Sequence, residues 1–219
     1  MMRSNQRYVS EIVDMWKSDR SPDFPYFAKY DTADATDPFW KPGTLFARAF
    51  KQLDLSFTLE IACGVGRHSA RIVDKAGALY MIDTSPDALA HARARFSGYP
   101  HVWVLDPSDG ESIPLDAGSV TAVFCFDAMV HFEATTVANY LSEISRVLIS
   151  GGRALLHHSV YDKNPTGTFR ENPGWRNYMS ESLFAYLASR SGLSIISSVT
   201  FNKRQECAII DGLSLLQAV

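Results

Sequence analysis

Short apolar runs alternate with amphipathic stretches from residue 56 onward. Runs rich in β-branched and aromatic residues predict strands, and stretches with apolar residues three or four positions apart predict helices. The predicted strands are 57–62, 78–82, 102–105, 120–126, 153–159, 193–201 and 207–215. The predicted helices are 68–75, 86–96, 135–148 and 180–191. Since strands that alternate with helices form right-handed crossovers, the pattern predicts an α/β fold with a mostly parallel sheet.

The last two predicted strands, 193–201 and 207–215, depart from this alternation. Only a short polar stretch lies between them, which is too short for a helical crossover. We therefore expect these two strands to pair antiparallel.

The first forty residues follow neither pattern. Residues 8–17 predict a short amphipathic helix, and the stretches after it combine many aromatic rings with prolines. We expect residues 1–40 to form an N-terminal helix and an aromatic-rich strap or lid, and residues 41–219 to form a single domain. The strap could pack on the core or cover a substrate, and the sequence does not choose between these roles.

Composition excludes several classes of protein. The net charge of −3 argues against nucleic acid as the main substrate, because phosphate binding usually goes with a basic excess. Neither a long uncharged apolar run nor an apolar signal core is present in the sequence, so we expect no membrane partner and no secretion. The three cysteines lie in apolar segments at spacings that match no zinc site. This cysteine usage predicts reduced thiols in a cytoplasmic protein, without a metal.

Candidate ligand-binding residues stand where the first two predicted strands end. Gly64 and Gly66 permit a tight turn and the close approach of a ligand to the backbone. Ser69 replaces the third glycine of the dinucleotide-binding fingerprint, and the Glu60 carboxylate suits a cationic, amino-acid-bearing ligand better than a pyrophosphate. Asp83, after the second strand, could accept two hydrogen bonds from a ribose diol. The alternative is that Asp83 only starts the helix that follows.

These positions resemble a known family. The pattern Glu60-x-x-x-Gly64-x-Gly66, followed by Asp83-x-Ser85, is similar to that of the class I S-adenosylmethionine-dependent methyltransferases. The resemblance runs from about residue 39 to the C-terminus and includes a helix-to-strand turn at 151–152. It implies a doubly wound sheet of seven strands in the order 3-2-1-4-5-7-6, with the last strand antiparallel and helices on both faces.

The resemblance also implies a set of cofactor-binding residues. The glycine loop would pass the methionine moiety, Asp83 would hold the ribose, and Asp109 with Gly110 would meet the adenine, with Asp106 as the competing acid. Phe126, Asp127 and Met129, at the end of the fourth strand, would wall the cofactor. The full expected set is Glu60, Ala62, Gly64, Gly66, Arg67, Asp83, Thr84, Asp109, Gly110, Phe126, Asp127 and Met129.

Three histidines are candidates for a general base because the pKa of an unperturbed imidazole lies near neutrality. His131 follows the fourth predicted strand, and His157 and His158 lie on the fifth. Adjacent strand residues point to opposite faces, so only one of the latter two can easily face a site. The alternative for each is a structural histidine. Nearby, Arg176 is a candidate charged donor in the substrate wall.

The resemblance implies a methyltransferase with S-adenosyl-L-methionine as cofactor and a small molecule or sugar as acceptor. It would be an O-methyltransferase if a histidine acts as the base. Two other hypotheses remain: a nicotinamide-dependent oxidoreductase, for which the third glycine and a Tyr-x-x-x-Lys set are missing, and a non-catalytic S-adenosylmethionine-binding protein. The sequence leaves the oligomeric state open.

Overall fold

The computed structural model describes residues 39–107, 110, 112–202 and 209–219. Predictions for helix 8–17, Asp109 and Cys207 lie outside the described residues. The chain divides into two compact units, residues 1–114 and 115–219. The expected boundary at residue 40 lies at the edge of the described part and stays a prediction.

The first unit carries three parallel strands, β1 (Phe57–Ile61), β2 (Ala78–Ile82) and β3 (Val102–Leu105). Strand β2 pairs with β1 on one side and with β3 on the other. They are accompanied by helix α1 (Leu45–Phe50), which the sequence pattern did not predict, and by helix α2 (Pro86–Arg95).

The ends of α2 are set by local chemistry. The Ser85 hydroxyl accepts the N–H of Ala88 at 3.3 Å, and Pro86 stands at the first helical position, where its missing N–H costs nothing. Arg93 and Arg95 lie in the last turn, where the helix dipole favours cations. These signals act between residues close together in the sequence, and so the predicted bounds of 86–96 nearly match those of α2 in the structure.

The second unit carries four strands and two helices. In chain order they are β4 (Val120–Cys125), α3 (Ala134–Val147), β5 (Leu148–Ser159), α4 (Glu181–Arg190), β6 (Leu193–Phe201) and β7 (Asp211–Ala218). Strand β5 pairs with β4 in parallel, and β7 pairs antiparallel with both β5 and β6. The sheet order is β3-β2-β1-β4-β5-β7-β6, which confirms the predicted seven-stranded sheet with an antiparallel last strand.

Three predicted elements were wrong in extent. Residues 68–75 form consecutive turns around a 3-10 turn at Ser69–Arg71, not an α-helix. Strand β5 begins at Leu148 and not at Arg153. Its pairing with β4 is irregular between these two residues, so the predicted turn at 151–152 lies inside the strand. Strand β7 runs Asp211–Ala218, not 207–215.

No helix in the described part of the chain is long and apolar enough to cross a bilayer. Within the same residues, no group of three or more His, Cys, Asp or Glu side chains could hold a metal ion.

Candidate functional site

In the first unit, strand β1 leads into the glycine loop, residues 62–69. Three of its residues adopt left-handed backbone conformations: Ala62 (φ 56°), Gly64 (φ 55°) and Gly66 (φ 77°). Ala62 is not a glycine, and such a conformation costs a residue with a β-carbon roughly 1–2 kcal/mol. Non-glycine residues in this region cluster at functional sites, which makes the loop a candidate.

Asp83 fixes the shape of the glycine loop. Its Oδ2 accepts the N–H of Gly64 at 2.8 Å, and its Oδ1 accepts the N–H of Ser85 at 2.8 Å. The side chain that caps α2 is Ser85, so Asp83 is not the capping residue, although its bond to the N–H of Ser85 lies at the start of that helix.

Glu60 lies inside the protein. Its side chain is buried, and its Oε2 accepts the hydroxyl proton of Ser69. Burial raises its pKa to about 8, against the lowering effects of Ser69 and Arg67. The acid is therefore mostly protonated at neutral pH in the absence of a ligand. Its expected contact with a cationic ligand stays a prediction.

Gly66 is required by packing. A β-carbon at this position would lie 2.3 Å from Cε2 of Phe96 and 2.7 Å from Cε of Met81. Of the other expected cofactor residues in this unit, Arg67 and Thr84 are half-buried, and Gly110 is buried with a φ of 65°.

In the second unit, the residues after β4 meet His157. The Phe126 ring stacks on the His157 ring at a centroid distance of 4.7 Å. Asp127 adopts a φ of 62°, and its backbone N–H donates to Nδ1 of His157 at 3.1 Å. Phe126 and Met129 are buried, so the side chains expected to wall the cofactor lie in the core of this unit.

His157 and His158 are both buried and bonded at both ring nitrogens. His157 accepts from Asp127 at Nδ1, so its proton is on Nε2, which donates to Oδ1 of Asp211 at 2.9 Å. His158 donates from Nδ1 to the carbonyl of Ser159 at 2.9 Å and accepts at Nε2 from the Ser214 hydroxyl at 2.8 Å. Both histidines are buried, and the expectation that only one of them can easily face a site stays a prediction.

His131 has a different environment. It lies in a 3-10 turn, Met129–His131, and its Nδ1 donates to the carbonyl oxygen of Trp175 at 2.5 Å. Because a carbonyl can only accept, the proton is on Nδ1 and the basic lone pair is on Nε2. Burial lowers the pKa of His131 to about 4, partly opposed by the bond to Trp175. The imidazole is therefore neutral at physiological pH.

Residues 58–152 match a family model described as a methyltransferase domain. The matched segment covers less than half of the chain, and over it the chain is similar to the class I methyltransferases, whose cofactor is S-adenosylmethionine.

Among known proteins, a glycine/sarcosine N-methyltransferase from Parasynechococcus marenigrum (strain WH8102) is 26% identical over 161 residues, which cover 72% of this chain and 52% of the relative. The chain thus spans about half the length of that relative.

Two solved structures share the fold. One is a protein of Pyrococcus horikoshii OT3, with a TM-score of 0.68, 16% identity, and coverage of 94% of this chain and 99% of the other. The second is geranyl diphosphate C-methyltransferase from Streptomyces coelicolor A3(2), with a TM-score of 0.64, 16% identity and 79% coverage of both chains.

The second unit contains two functional candidates that sequence reasoning missed or misplaced. Arg176 was expected in a substrate wall, but its side chain is buried and its Nε and Nη2 donate to Oδ1 of Asp211 at 2.8 and 2.6 Å. Asp211 was not among the expected site residues, although it lies inside the predicted strand 207–215. Burial acts to raise the pKa of Asp211, but His157 and Arg176 outweigh it and hold the value at about 2.

The second unit therefore contains a compact polar group. We call His131, His157, His158, Arg176 and Asp211 the histidine cluster. Electrostatic effects link its members, since His157 and Arg176 act on His131, and His157 and Asp211 act on His158. No single motif in the sequence marks this group.

Proposed function

We propose that the protein transfers the methyl group of S-adenosylmethionine to a hydroxyl group of a small molecule or sugar. The observation that carries the proposal is the double hydrogen bonding of Asp83 to the backbone amides of Gly64 and Ser85. This contact holds an acidic side chain at the end of β2 in a fixed relation to a glycine loop after β1.

The donor and acceptor groups of the first unit fit the cofactor. The Asp83 carboxylate, at the end of β2, is an acceptor of the kind that suits a ribose diol, and the glycine loop presents backbone to the amino-acid portion. When bound, S-adenosylmethionine supplies a methyl group that is already activated by a positively charged sulfur. The protein's own task is then mainly to align the two reactants and to exclude water.

We assign the general base to His131 and not to His157 or His158. His131 is neutral, its bond to the Trp175 carbonyl leaves the basic lone pair on Nε2, and it lies in the turn that follows the end of β4. An alcohol must lose its proton as it is methylated. In this proposal Nε2 of His131 would accept that proton while the alcohol oxygen takes the methyl group, and the electrons of the broken carbon–sulfur bond would stay on the sulfur of the cofactor.

The environment of Arg176 supports an uncharged acceptor. Its guanidinium is committed to Asp211 and to the carbonyl of Gly174, at 2.6 Å, and is therefore not available to bind an acceptor carboxylate. The named acceptors of the relatives differ from one another, and so they do not select an acceptor for this chain.

Calorimetry with S-adenosylmethionine, S-adenosylhomocysteine and NAD tests the cofactor. We expect both adenosyl ligands to bind and NAD to remain unbound. Binding of NAD alone would overturn the proposal. Binding of the adenosyl ligands without methyl transfer to any member of a broad panel of alcohols, sugars and amines would favour a non-catalytic binding protein.

His131→Gln tests the base. For a hydroxyl acceptor we expect kcat to fall by about 10²- to 10⁴-fold, the range for a positioned base, with little change in cofactor affinity. His91→Gln is the matched control, because His91 is exposed on α2. Equal activity of both variants on a hydroxyl acceptor would refute the base assignment.

A further inference from the structure

The ion pair of Arg176 and Asp211 is buried, and the proposed chemistry does not use it. Arg176 is 2% exposed and Asp211 0%. Three donors converge on Oδ1 of Asp211: Nε and Nη2 of Arg176, and Nε2 of His157. Taking two charges out of water is costly, and the cost is recovered only where the geometry is good and further hydrogen bonds are made. The pair is therefore a candidate for a specific task.

One arm of this network reaches His131. Nη1 of Arg176 donates to the carbonyl of Gly174 at 2.6 Å. The intervening residue, Trp175, has a φ of 58°, and its carbonyl accepts the Nδ1 proton of His131. Arg176 thus holds both sides of the peptide segment that orients the proposed base.

Asn177 ties the same segment to the turn that carries His131. Its backbone N–H donates to the carbonyl of Val130 at 2.9 Å, and its Nδ2 donates to the carbonyl of His131 at 3.2 Å. The segment 174–177 therefore clamps this turn through backbone and side-chain contacts, with Arg176 in its centre.

The other arm reaches the end of β4. His157, held by Asp211 at Nε2, accepts at Nδ1 from the backbone N–H of Asp127. Within the described residues of this unit, Asp127 and Trp175 are the two non-glycine residues with left-handed backbone. Such conformations persist only where the surroundings over-determine them. Each of the two lies next to a side chain bonded to Asp211.

We propose that Arg176 and Asp211 are positioning residues, which fix the Trp175 carbonyl and the Asp127 backbone so that His131 keeps its proton on Nδ1 and its lone pair on Nε2. This inference rests on the proposed function in that His131 is the base whose orientation matters. The alternative is that the pair serves only to stabilise the fold.

The decisive variant replaces the pair as a whole. Removing one partner leaves a buried charge without its counterion and endangers folding, whereas neutral replacement of both is often tolerated. We therefore compare Arg176→Met/Asp211→Asn, in which the new amide oxygen can still accept from Nε2 of His157, with Arg176→Lys, which keeps the charge but loses the planar guanidinium. Arg170→Met is the matched control, since Arg170 is exposed and lies on the same loop.

The first readout is the nitrogen NMR spectrum of His131 in protein with labelled histidine. We expect the wild type to show Nδ1–H and a pKa of about 4. In the double variant we expect mixed tautomers, because the Trp175 carbonyl no longer holds the proton on Nδ1, and the tautomer ratio is the deciding measurement. Arg176→Lys should lie between the two, and Arg170→Met should match the wild type.

The second readout is kinetic. With a hydroxyl acceptor, kcat of the double variant should fall by about 10²-fold, the loss of a positioned base, while the affinity for S-adenosylmethionine changes by less than about twofold. A purely structural pair would instead lower the melting temperature and leave both the His131 tautomer and kcat unchanged at a temperature where the variant is folded.

The outcomes separate this inference from the proposed function. An unaltered His131 spectrum in a folded double variant, or in folded Arg176→Lys if the double variant does not fold, would overturn the positioning role. Full activity of His131→Gln would instead overturn the base role. The NMR result would then still decide whether the pair positions His131.

Discussion

The glycine loop of the first unit is held by bonds to backbone amides, whereas the histidine cluster of the second is held by bonds between side chains. The loop consists of neighbours in sequence, and its contacts to Asp83 use backbone amides. The cluster consists of side chains drawn from distant positions, with His157 and Asp211 separated by 54 positions. A backbone site depends on local conformation, whereas a side-chain site depends on the whole unit being folded.

The two regions also treat charge in opposite ways. Burial raises the pKa of Glu60 to about 8, so an acid is kept protonated beside the loop. In the cluster, burial lowers the pKa of His131 and of His158 to about 4, so two bases are kept unprotonated. The regions should therefore respond to pH with opposite signs.

The largest expected effect is acid destabilisation from the histidine cluster. The folded-state pKa values of His131 and His158 lie below the unfolded value near 6.5, so their contribution is present above that value and is lost as pH falls toward 4. Between pH 7 and pH 5 each histidine should remove about 2 kcal/mol from the free energy of unfolding. Urea denaturation at the two pH values measures this loss.

His158→Gln isolates one half of that effect. The variant should be less stable at pH 7, because His158 stacks on Phe184 at a centroid distance of 3.5 Å. Its loss of stability between pH 7 and pH 5 should nevertheless be smaller than that of the wild type by about 2 kcal/mol. If the free energy of unfolding depends on pH in the same way in His158→Gln and in the exposed-site control His91→Gln, His158 is not a source of the acid destabilisation.

Gly66→Ala gives the next effect and probes the loop. The substitution combines a left-handed φ of 77° with contacts of 2.3 and 2.7 Å to Phe96 and Met81. Overpacking and backbone strain together should cost about 3 kcal/mol of folding stability. We also expect calorimetry to show loss of S-adenosylmethionine binding.

Gly43→Ala separates the two causes. Gly43 has a φ of 93°, but no atom lies within 4 Å of where a β-carbon would be, so an alanine there causes only backbone strain. It should cost about 1 kcal/mol and leave cofactor binding intact. Equal losses in the two alanine variants would mean that packing around Gly66 contributes nothing.

The same contrast explains what could be predicted from sequence. The loop, Asp83 and the start of α2 follow from glycines, a proline and a capping serine that act within a few residues, and the strand order follows from the family resemblance. These predictions required no knowledge of long-range contacts. Asp83 as the residue that shapes the loop is a refinement that only the structure provides.

The histidine cluster could not be predicted in this way. Asp211-Gly212 has the sequence of a turn, yet Asp211 begins β7 because Arg176 and His157 satisfy its carboxylate. A β-carbon at Gly212 would lie 2.5 Å from Cε1 of His158, so this glycine is needed for packing inside a strand. Tertiary contacts override local propensity at both residues, which the predicted strand 207–215 does include. The error of that prediction lies in its bounds, since β7 begins at Asp211 and continues to Ala218.

The smallest expected effect is the alkaline response of the loop. The folded-state pKa of Glu60 lies above its unfolded value of 4.5, so the contribution of Glu60 is fully present below that value and is lost as pH rises through about 8. Between pH 7 and pH 9, where His131 and His158 are neutral in both states, Glu60 should remove about 1.4 kcal/mol from the free energy of unfolding.

Glu60→Gln should abolish this loss, since the amide can still bond to the Ser69 hydroxyl but does not ionise. Glu181→Gln, at an exposed acid in the first turn of α4, should keep it. Retention of the full alkaline loss in Glu60→Gln would place its source elsewhere, and the two regions would then no longer differ in the sign of their response to pH.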